Sequence, residues 1–247
     1  MPVMNRWILM TVLAPTLGSA VFATAEPAES PDPAVGLALK LVVAMGGREA
    51  WANVSFVHVE AVHDDLDIPE PFVNRIWNDF SRPRVRFSAH NDRFSQTRRI
   101  DGGVGVRQSA PGSGGTPLTA EEYESDRAWW EANVYRTLHR IARKDPSLQF
   151  RAIGTTRLEI VRPNGSVLNW FVMNQKGEPM LFGAGSDARG GVFGPLATSG
   201  QVKYPKWGAR ADGSWRYEIV RFVTSSTVPP DAFPAVASSA RGRGSAR

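Results

Sequence analysis

The chain has 247 residues, a formal net charge of +5 and no cysteine. Without cysteine it forms no disulfide, no thiolate metal site and no lipid anchor attached through a cysteine. Four of the 29 basic residues, Arg6, Arg241, Arg243 and Arg247, lie near the two ends of the chain, so 25 basic residues stand against 24 acidic ones in the remainder. This near-neutral balance argues against a nucleic-acid-binding surface.

The first 25 residues have the pattern of an export signal. Arg6 precedes an apolar run from Trp7 to Phe22, and Ala23-Thr24-Ala25 has the small residues of a cleavage site. We expect cleavage after Ala25 and a mature protein in the periplasm that does not span the membrane. The alternative is an uncleaved anchor, which would need about 20 apolar residues. Residues 26–33 are rich in Pro, Ala, Ser and Glu and form a linker.

A short apolar helix over Ala34–Met45 is predicted to open the folded part. Asp32-Pro33 supplies a cap and a residue suited to the first helical position. Gly46-Gly47 has the backbone freedom that commonly ends a helix. Trp51 lies in a one-turn connector, and Val54–His63 has the Val and aromatic content of a β-strand.

Several strands follow this first one. They are predicted at Val73–Phe80, Val85–Ala89, Phe94–Ile100 and Val104–Gln108. The second of these alternates apolar and polar residues, as half-buried strands do. Asp101-Gly102-Gly103 is a tight turn, and residues 109–117 form a Gly/Pro/Ser loop.

One long helix is predicted in the middle of the chain. Thr119 and Glu122 have the spacing of a capping box. An apolar stripe runs from Tyr123 to Ile141, and Asp145-Pro146 ends the helix. Acidic residues open this helix and basic residues close it, which suits the helix dipole.

The remainder of the chain is predicted to be a β-meander. Its strands are Leu148–Ile153, Arg157–Arg162, Val167–Met173, Glu178–Phe182, Gln201–Trp207 and Trp215–Thr224, with a Gly-rich loop at 183–191. Strands that meander without helical crossovers favour an antiparallel sheet. We therefore predict an α+β fold over residues 34–234, an open half-barrel with both helices on the concave side of its curved sheet. Residues 235–247 are predicted to be a disordered basic tail.

No group of residues predicts catalysis, a cofactor or a metal site. His58 and His63 point to opposite sides of their strand, so that only His63 and nearby loop aspartates could hold a metal, and a solvated acidic loop is favoured. The chain has no Gly-x-Ser-x-Gly elbow, and Gly102–Gly105 lacks the spacing of a dinucleotide loop. We therefore predict that the protein is not an enzyme.

Large apolar side chains give the candidate binding residues. Trp77, Phe87, Trp130, Val134 and Trp170 lie on elements with apolar faces. For any single tryptophan, core filling is favoured over cavity lining. As a group, these side chains suggest the wall of a cavity for an apolar ligand.

The succession of these segments resembles a known family. It includes LALKLVVAMGGREAWANVSFVHV at 37–59, RPRVRF at 82–87, the helix LTAEEYESDRAWWEANVYRTL, the turn RPNG at 162–165 and GQVKYPKW at 200–207. Together they resemble the LolA/LolB-like superfamily of periplasmic lipoprotein carriers and their exported relatives. The resemblance implies an open β-barrel closed by helices, with an apolar cavity that takes acyl chains.

Two functions are favoured at this point, and an envelope hydrolase, which would need converging His and acidic side chains in a cleft, is a distant third. The first is a periplasmic, non-catalytic binding or carrier protein for a lipid or another apolar molecule. The second is a module that binds another envelope protein, with the cavity sealed by its own helices. A cavity filled by the Ala34–Met45 helix would favour the second function.

Overall fold

A computed structural model describes residues 32–110, 113–186 and 190–234 of the chain. The expected export signal, most of the linker and the expected basic tail lie outside the described residues. In the described part, no helix has the length and apolar character needed to cross a membrane.

Four helices and fifteen strands make up the described part. The helices are α1 (Pro33–Ala44), α2 (Arg48–Ala52), α3 (Ala120–Glu131) and α4 (Val134–Ala142). The strands are β1 (Phe56–Asp65), β2 (Phe72–Asp79), β3 (Arg84–His90), β4 (Ser95–Asp101), β5 (Val104–Gln108), β6 (Thr116–Pro117), β7 (Gln149–Ile153), β8 (Arg157–Val161), β9 (Val167–Met173), β10 (Pro179–Ala184), β11 (Gly191–Phe193), β12 (Leu196–Ser199), β13 (Val202–Pro205), β14 (Trp207–Arg210) and β15 (Trp215–Ser225).

Thirteen of these strands form one curved, open sheet. Their order is β6-β5-β4-β3-β2-β1-β15-β14-β11-β10-β9-β8-β7, and β12 pairs with β13 separately. The neighbouring strands are antiparallel. The prediction of an α+β open half-barrel is confirmed.

Alternation along β1 defines two faces of the sheet. Val57, Val59 and Ala61 belong to the main core, which they share with α1, α2 and α4. We call their side the helix face. His58 and Glu60 point the other way, to the side that we call the outer face.

Helix α1 begins and ends where local sequence predicts. The Asp32 Oδ1 atom accepts a hydrogen bond from the Ala34 amide at 2.8 Å, and Pro33 is the first helical residue. Gly46 has a φ of 117°, and a Cβ atom there would lie 2.4 Å from the Gln201 carbonyl oxygen. The glycine therefore ends the helix and also lets the β12–β13 hairpin approach closely, where the Lys203 amide bonds the Met45 carbonyl at 2.7 Å.

The prediction of one long mid-chain helix is wrong. The chain breaks into α3 and α4 at Ala132-Asn133, and the Asn133 side chain caps α4 by accepting from the amides of Tyr135 and Arg136. The Ala132 carbonyl accepts a hydrogen bond from the Asn169 side chain at 2.6 Å. Because a side chain of β9 donates to this carbonyl, the carbonyl needs no amide from a further turn of helix, and α3 can end here.

The predicted strand Gln201–Trp207 is also corrected, because it divides into β13 and β14. The Lys206 amide bonds the Pro195 carbonyl, and the Lys206 carbonyl accepts from the Ile219 amide. The chain therefore turns at this residue. The β12–β13 hairpin packs on the helix face of β15, where Tyr204 stacks on Phe222 at 4.3 Å.

Candidate functional site

Two of the five expected binding residues lie on the outer face of the sheet. Trp77 is opposite His58 in the β1–β2 register and stacks on it at 4.7 Å, while the Arg86 guanidinium lies 3.8 Å above the Trp77 ring. Trp170 lies on β9 with the Arg157 guanidinium 4.5 Å from its ring centre. Neither tryptophan points toward the helices.

The other three lie on the helix side but in two clusters. Phe87 and Trp130 belong to a cluster around Val85 and Ile100, beneath α3. Val134, the first residue of α4, packs against the main core instead. The structure thus brings two of the five residues together, and does not place all five on one wall.

The main core is filled by α1 and the elements around it. Leu41 and Val42 of α1, and Met45 at its C-cap, are at most 1% exposed. Trp51 is fully buried, stacks on Tyr135 at 6.0 Å and donates from Nε1 to the Met45 carbonyl at 2.8 Å. Large side chains thus occupy the space between α1 and the sheet.

Two cavities in the described part are small and partly polar. One has a volume of about 220 Å³ beside α1 and the β9–β10 turn, and the other about 200 Å³ beside α2 and the end of β15. Their walls include Lys40, Thr155 and Asn174 in the first, and Asn53, Thr224 and Ser225 in the second. Neither resembles an apolar tunnel.

Helix α3 covers a different part of the helix face, over β3 and β4. We call the side chains beneath it the α3 cluster. Val85, Ile100 and Trp130 are its buried members, and Ile76, Phe87, Leu118 and Tyr123 are its partly buried ones. Trp129 is 38% exposed and meets the Phe87 ring edge-on at 4.8 Å. A row of half-covered aromatic and apolar side chains thus lies along one side of the helix.

Polar contacts hold α3 against the sheet. The Arg98 guanidinium pairs with Asp126 at 3.0 Å, and Arg107 pairs with Glu122. Asp126 is 3% exposed, and its Oδ2 atom has no hydrogen-bond partner in the described part. Burial raises the pKa of the Asp126 carboxyl despite the nearby Arg98. This carboxylate therefore stabilises the docking of α3 only weakly.

An aromatic group around His63 closes the far end of the same face. His63 lies 5.1 Å from Phe72 and 5.6 Å from Tyr217 between ring centres. Its Nδ1 atom accepts a hydrogen bond from the Trp215 Nε1–H at 3.1 Å. Burial lowers the pKa of His63 to about 4, so the imidazole is neutral near pH 7.

The tautomer of His63 follows from this contact. The indole N–H of Trp215 only donates, so Nδ1 is the acceptor and the His63 proton lies on Nε2. The Asn74 Nδ2 atom is 3.5 Å from the His63 Nε2 atom, and the Asn74 Oδ1 atom has no hydrogen-bond partner in the described part. Turning the Asn74 amide by 180° points this oxygen at the Nε2–H and satisfies both groups.

Sequence reasoning missed His63, Phe72, Trp215 and Tyr217 as one group. These residues come from three strands that meet only in the sheet order β2-β1-β15. The sequence shows that these strands contain Phe, Tyr and Trp, but it does not show the register that brings them together around His63. Strand parity did place His58 and His63 on opposite faces, and no group of three or more His, Asp or Glu residues in the described part could hold a metal.

No family model matches the chain, and no curated protein matches it. Among solved structures it is similar to a LolA superfamily protein from Nitrosomonas europaea, with 9% identity, a TM-score of 0.39 and coverage of 82% of this chain and 97% of the other. A DUF1329 family protein from Desulfovibrio piger has 7% identity, a TM-score of 0.38 and coverage of 77% and 93%. LprF from Mycobacterium bovis has 11% identity, a TM-score of 0.30 and coverage of 81% and 98%.

One of these similar structures is named as a LolA superfamily protein, the superfamily that the sequence resembles. At these TM-scores and identities, the likeness carries no argument about ligand or role.

Proposed function

We propose that the protein is a non-catalytic binding or carrier protein for an apolar, lipid-like molecule, which binds beneath α3 on the helix face of β2–β4. One observation supports this above all. Helix α3 buries the side chains of Asp126 and Trp130 alone, while Phe87 and Trp129 beside it stay partly exposed. Because α3 buries so few of its side chains, it lies over the apolar side chains of β3 and β4 without packing closely against them.

The ligand is argued from the chemistry of this surface. Phe87, Trp129, Ile76 and Tyr123 offer apolar area, and the Arg98 guanidinium lies 5.7 Å from the Phe87 ring centre. Burying an acyl chain there contributes about 0.8 kcal/mol per CH₂ group. Arg98 is paired with Asp126, so an acidic head such as that of a fatty acid would have to share or replace this ion pair beside the apolar groove.

Binding of a long chain requires α3 to move. The break at Ala132-Asn133 offers a hinge, because Asn133 caps α4 and leaves the last turn of α3 separate. Trp130 is the anchor of α3, since its Nε1 donates to the Asp79 carbonyl at 2.7 Å. We infer that the ligand enters between α3 and the strands, on the side of Phe87 and Trp129.

The test is a titration of the purified protein with a fluorescent fatty acid. Trp129→Ala should weaken binding at least several-fold. Trp207→Ala is a matched control, because Trp207 is 39% exposed and, through its pairing with Glu218, lies on the outer face. An absence of saturable binding by folded wild-type protein would dismiss the proposal, and equal losses in both variants would remove Trp129 from the site.

A second function is favoured by the filling of the main core. Because α1 occupies the space between itself and the sheet, the protein could instead be a module that binds another envelope protein. Native mass spectrometry of the protein taken from an envelope fraction separates the two. A bound lipid mass supports the carrier, and a bound protein mass with no lipid supports the module.

Export to the periplasm belongs to both functions and rests on residues 1–25 alone. N-terminal sequencing of the mature protein should begin at or near Glu26. Recovery of intact Met1 in the membrane fraction would contradict it.

A further inference from the structure

The outer face of the sheet carries a row of stacked cationic and aromatic side chains that the proposed ligand site does not use. Arg99, Arg86, Trp77 and His58 lie directly opposite one another on β4, β3, β2 and β1. The Arg86 guanidinium covers the Trp77 ring at 3.8 Å, and Trp77 covers His58 at 4.7 Å. Stacking fixes the position of these groups on the sheet surface.

The adjoining row adds two more arginines and one acid. Arg75, Glu60 and Arg221 are directly opposite one another on β2, β1 and β15. Both Glu60 oxygens accept from Arg75, at 2.9 and 3.4 Å. Arg221 has no carboxylate within 4.0 Å in the described part of the chain. We call Arg75, Arg86, Arg99 and Arg221 the arginine surface.

Most of the charge on the arginine surface is not neutralised. Arg86 and Arg99 donate to the backbone carbonyls of Ala232 and Pro234, which carry no net charge. Among the described residues, Glu60 is therefore the one carboxylate paired with these four cations, and Asp231 acts on Arg86 only from a greater distance. Burial and then the charge of Arg99 lower the pKa of Arg86, as expected of cations that repel one another.

The described part of the C-terminal segment crosses this face and ends on it at Pro234. After β15 the chain runs over Phe56 and Trp77 and reaches Arg99 at Pro234. The thirteen residues that follow, 235–247, include Arg241, Arg243 and Arg247 and no acidic residue. The basic end of the chain thus starts from the arginine surface.

We propose that the arginine surface, with the basic C-terminal residues, docks the protein on a membrane surface of anionic phospholipid. The four arginines span the five strands from β4 to β15, about 19 Å at the usual strand spacing. This is too wide for one phosphate group and suits an array of lipid headgroups. Val62, 39% exposed on the same face, offers apolar contact beside the charges. Docking by this face leaves the helix face, and any ligand on it, turned away from the bilayer.

The test is sedimentation of the full chain with vesicles of phosphatidylcholine, with and without phosphatidylglycerol. Binding should need phosphatidylglycerol and should weaken as salt is added. Arg221→Gln and Arg99→Gln should each weaken it about fivefold, the effect of one basic residue near an anionic surface. Arg143→Gln is the matched control, since it removes the same charge from the end of α4, on the helix side.

Several results would overturn the proposal. The first is failure of the wild type to bind the anionic vesicles. The second is an equal loss of vesicle binding for Arg143→Gln and Arg221→Gln. The third is a loss of vesicle binding on truncation after Ser239 with no loss for Arg221→Gln. Release of the protein by inorganic phosphate at the concentration of lipid phosphate would show a site for a free anion instead. Trp129→Ala should bind vesicles normally, so a failure of the fatty-acid proposal stays separate from a failure of this one.

Discussion

The two halves of the helix face are covered in opposite ways. Over the half that includes β15, β9 and β8, α1 and α4 fit apolar side chains into the sheet, and Leu41, Leu138 and Leu158 are fully buried. Over β3 and β4, α3 contributes one buried tryptophan and one buried carboxylate. The first half is sealed by packing, and the second is held by one anchor and by ion pairs.

This difference predicts a difference in local stability. A segment with few buried apolar contacts opens more easily than one embedded in the core. The half beneath α3 is therefore where the fold can change shape without unfolding. The half beneath α1 supplies the rigid frame for that change.

The largest effect is expected from the sealed half. Leu41→Ala should lower the free energy of unfolding by about 3–5 kcal/mol, because the site is fully buried and cannot collapse around a cavity. Urea denaturation measures it. Val43→Ala, on the same helix but 58% exposed, should change stability by less than about 0.5 kcal/mol. Similar losses in the two variants would show that α1 is not packed as described.

The second effect concerns the aromatic group around His63, which joins β1 and β2 to β15 on the helix face. The pKa of His63 falls from 6.5 to about 4 on folding, so the folded state binds fewer protons than the unfolded state between these values. Stability is therefore lost as the pH falls from 6.5 to 4, by about 3 kcal/mol at most from this group. Urea denaturation across this range, with an NMR titration of His63, measures it. A His63 that titrates near pH 6.5 would contradict its burial.

The third effect compares the caps of α3 and α4. Asn133→Ala removes the cap of α4 and should cost about 1 kcal/mol of global stability. Thr119→Ala removes the capping box of α3 and should cost less in urea denaturation, because α3 can open alone. Hydrogen exchange should instead speed up in α3 after Thr119→Ala. Equal global losses would mean that α3 and α4 unfold as one unit.

Much of the fold followed from signals that lie close together in the sequence. The cap at Asp32, the apolar stripe and Gly46 predicted α1 because all three act within a few residues. The break at Asn133 could not be predicted in this way. It contains neither glycine nor proline, and Asn169, which satisfies the free carbonyl of Ala132, comes from a distant strand.

The candidate site depended even more on distant contacts. Alternation placed Trp77 and Phe87 on apolar strands, but only the register shows that Phe87 lies opposite Ile76 and Trp77 opposite Arg86. The two side chains therefore point to opposite faces. Which face the helices cover is a tertiary property, and nothing in either strand specifies it.

The smallest effect is expected at Asp126, a buried carboxylate between α3 and β4. Its carboxylate is buried under α3 with Oδ2 unpaired, and burial raises its pKa. A carboxyl whose pKa is raised by folding destabilises the protein as the pH rises past its unfolded value. Asp126→Asn should therefore be as stable as the wild type at pH 7, or more stable by less than about 1 kcal/mol.

The pH dependence separates this account from a simple salt bridge with Arg98. If burial dominates, the advantage of Asp126→Asn should shrink as the pH falls, because the wild-type carboxyl then takes up a proton. If the pair with Arg98 at 3.0 Å dominates, Asp126→Asn should instead be less stable at pH 7 and should approach the wild type in acid. Urea denaturation at both pH values distinguishes the two. The second result would make α3 a firmly held part of the fold rather than a loosely docked cover.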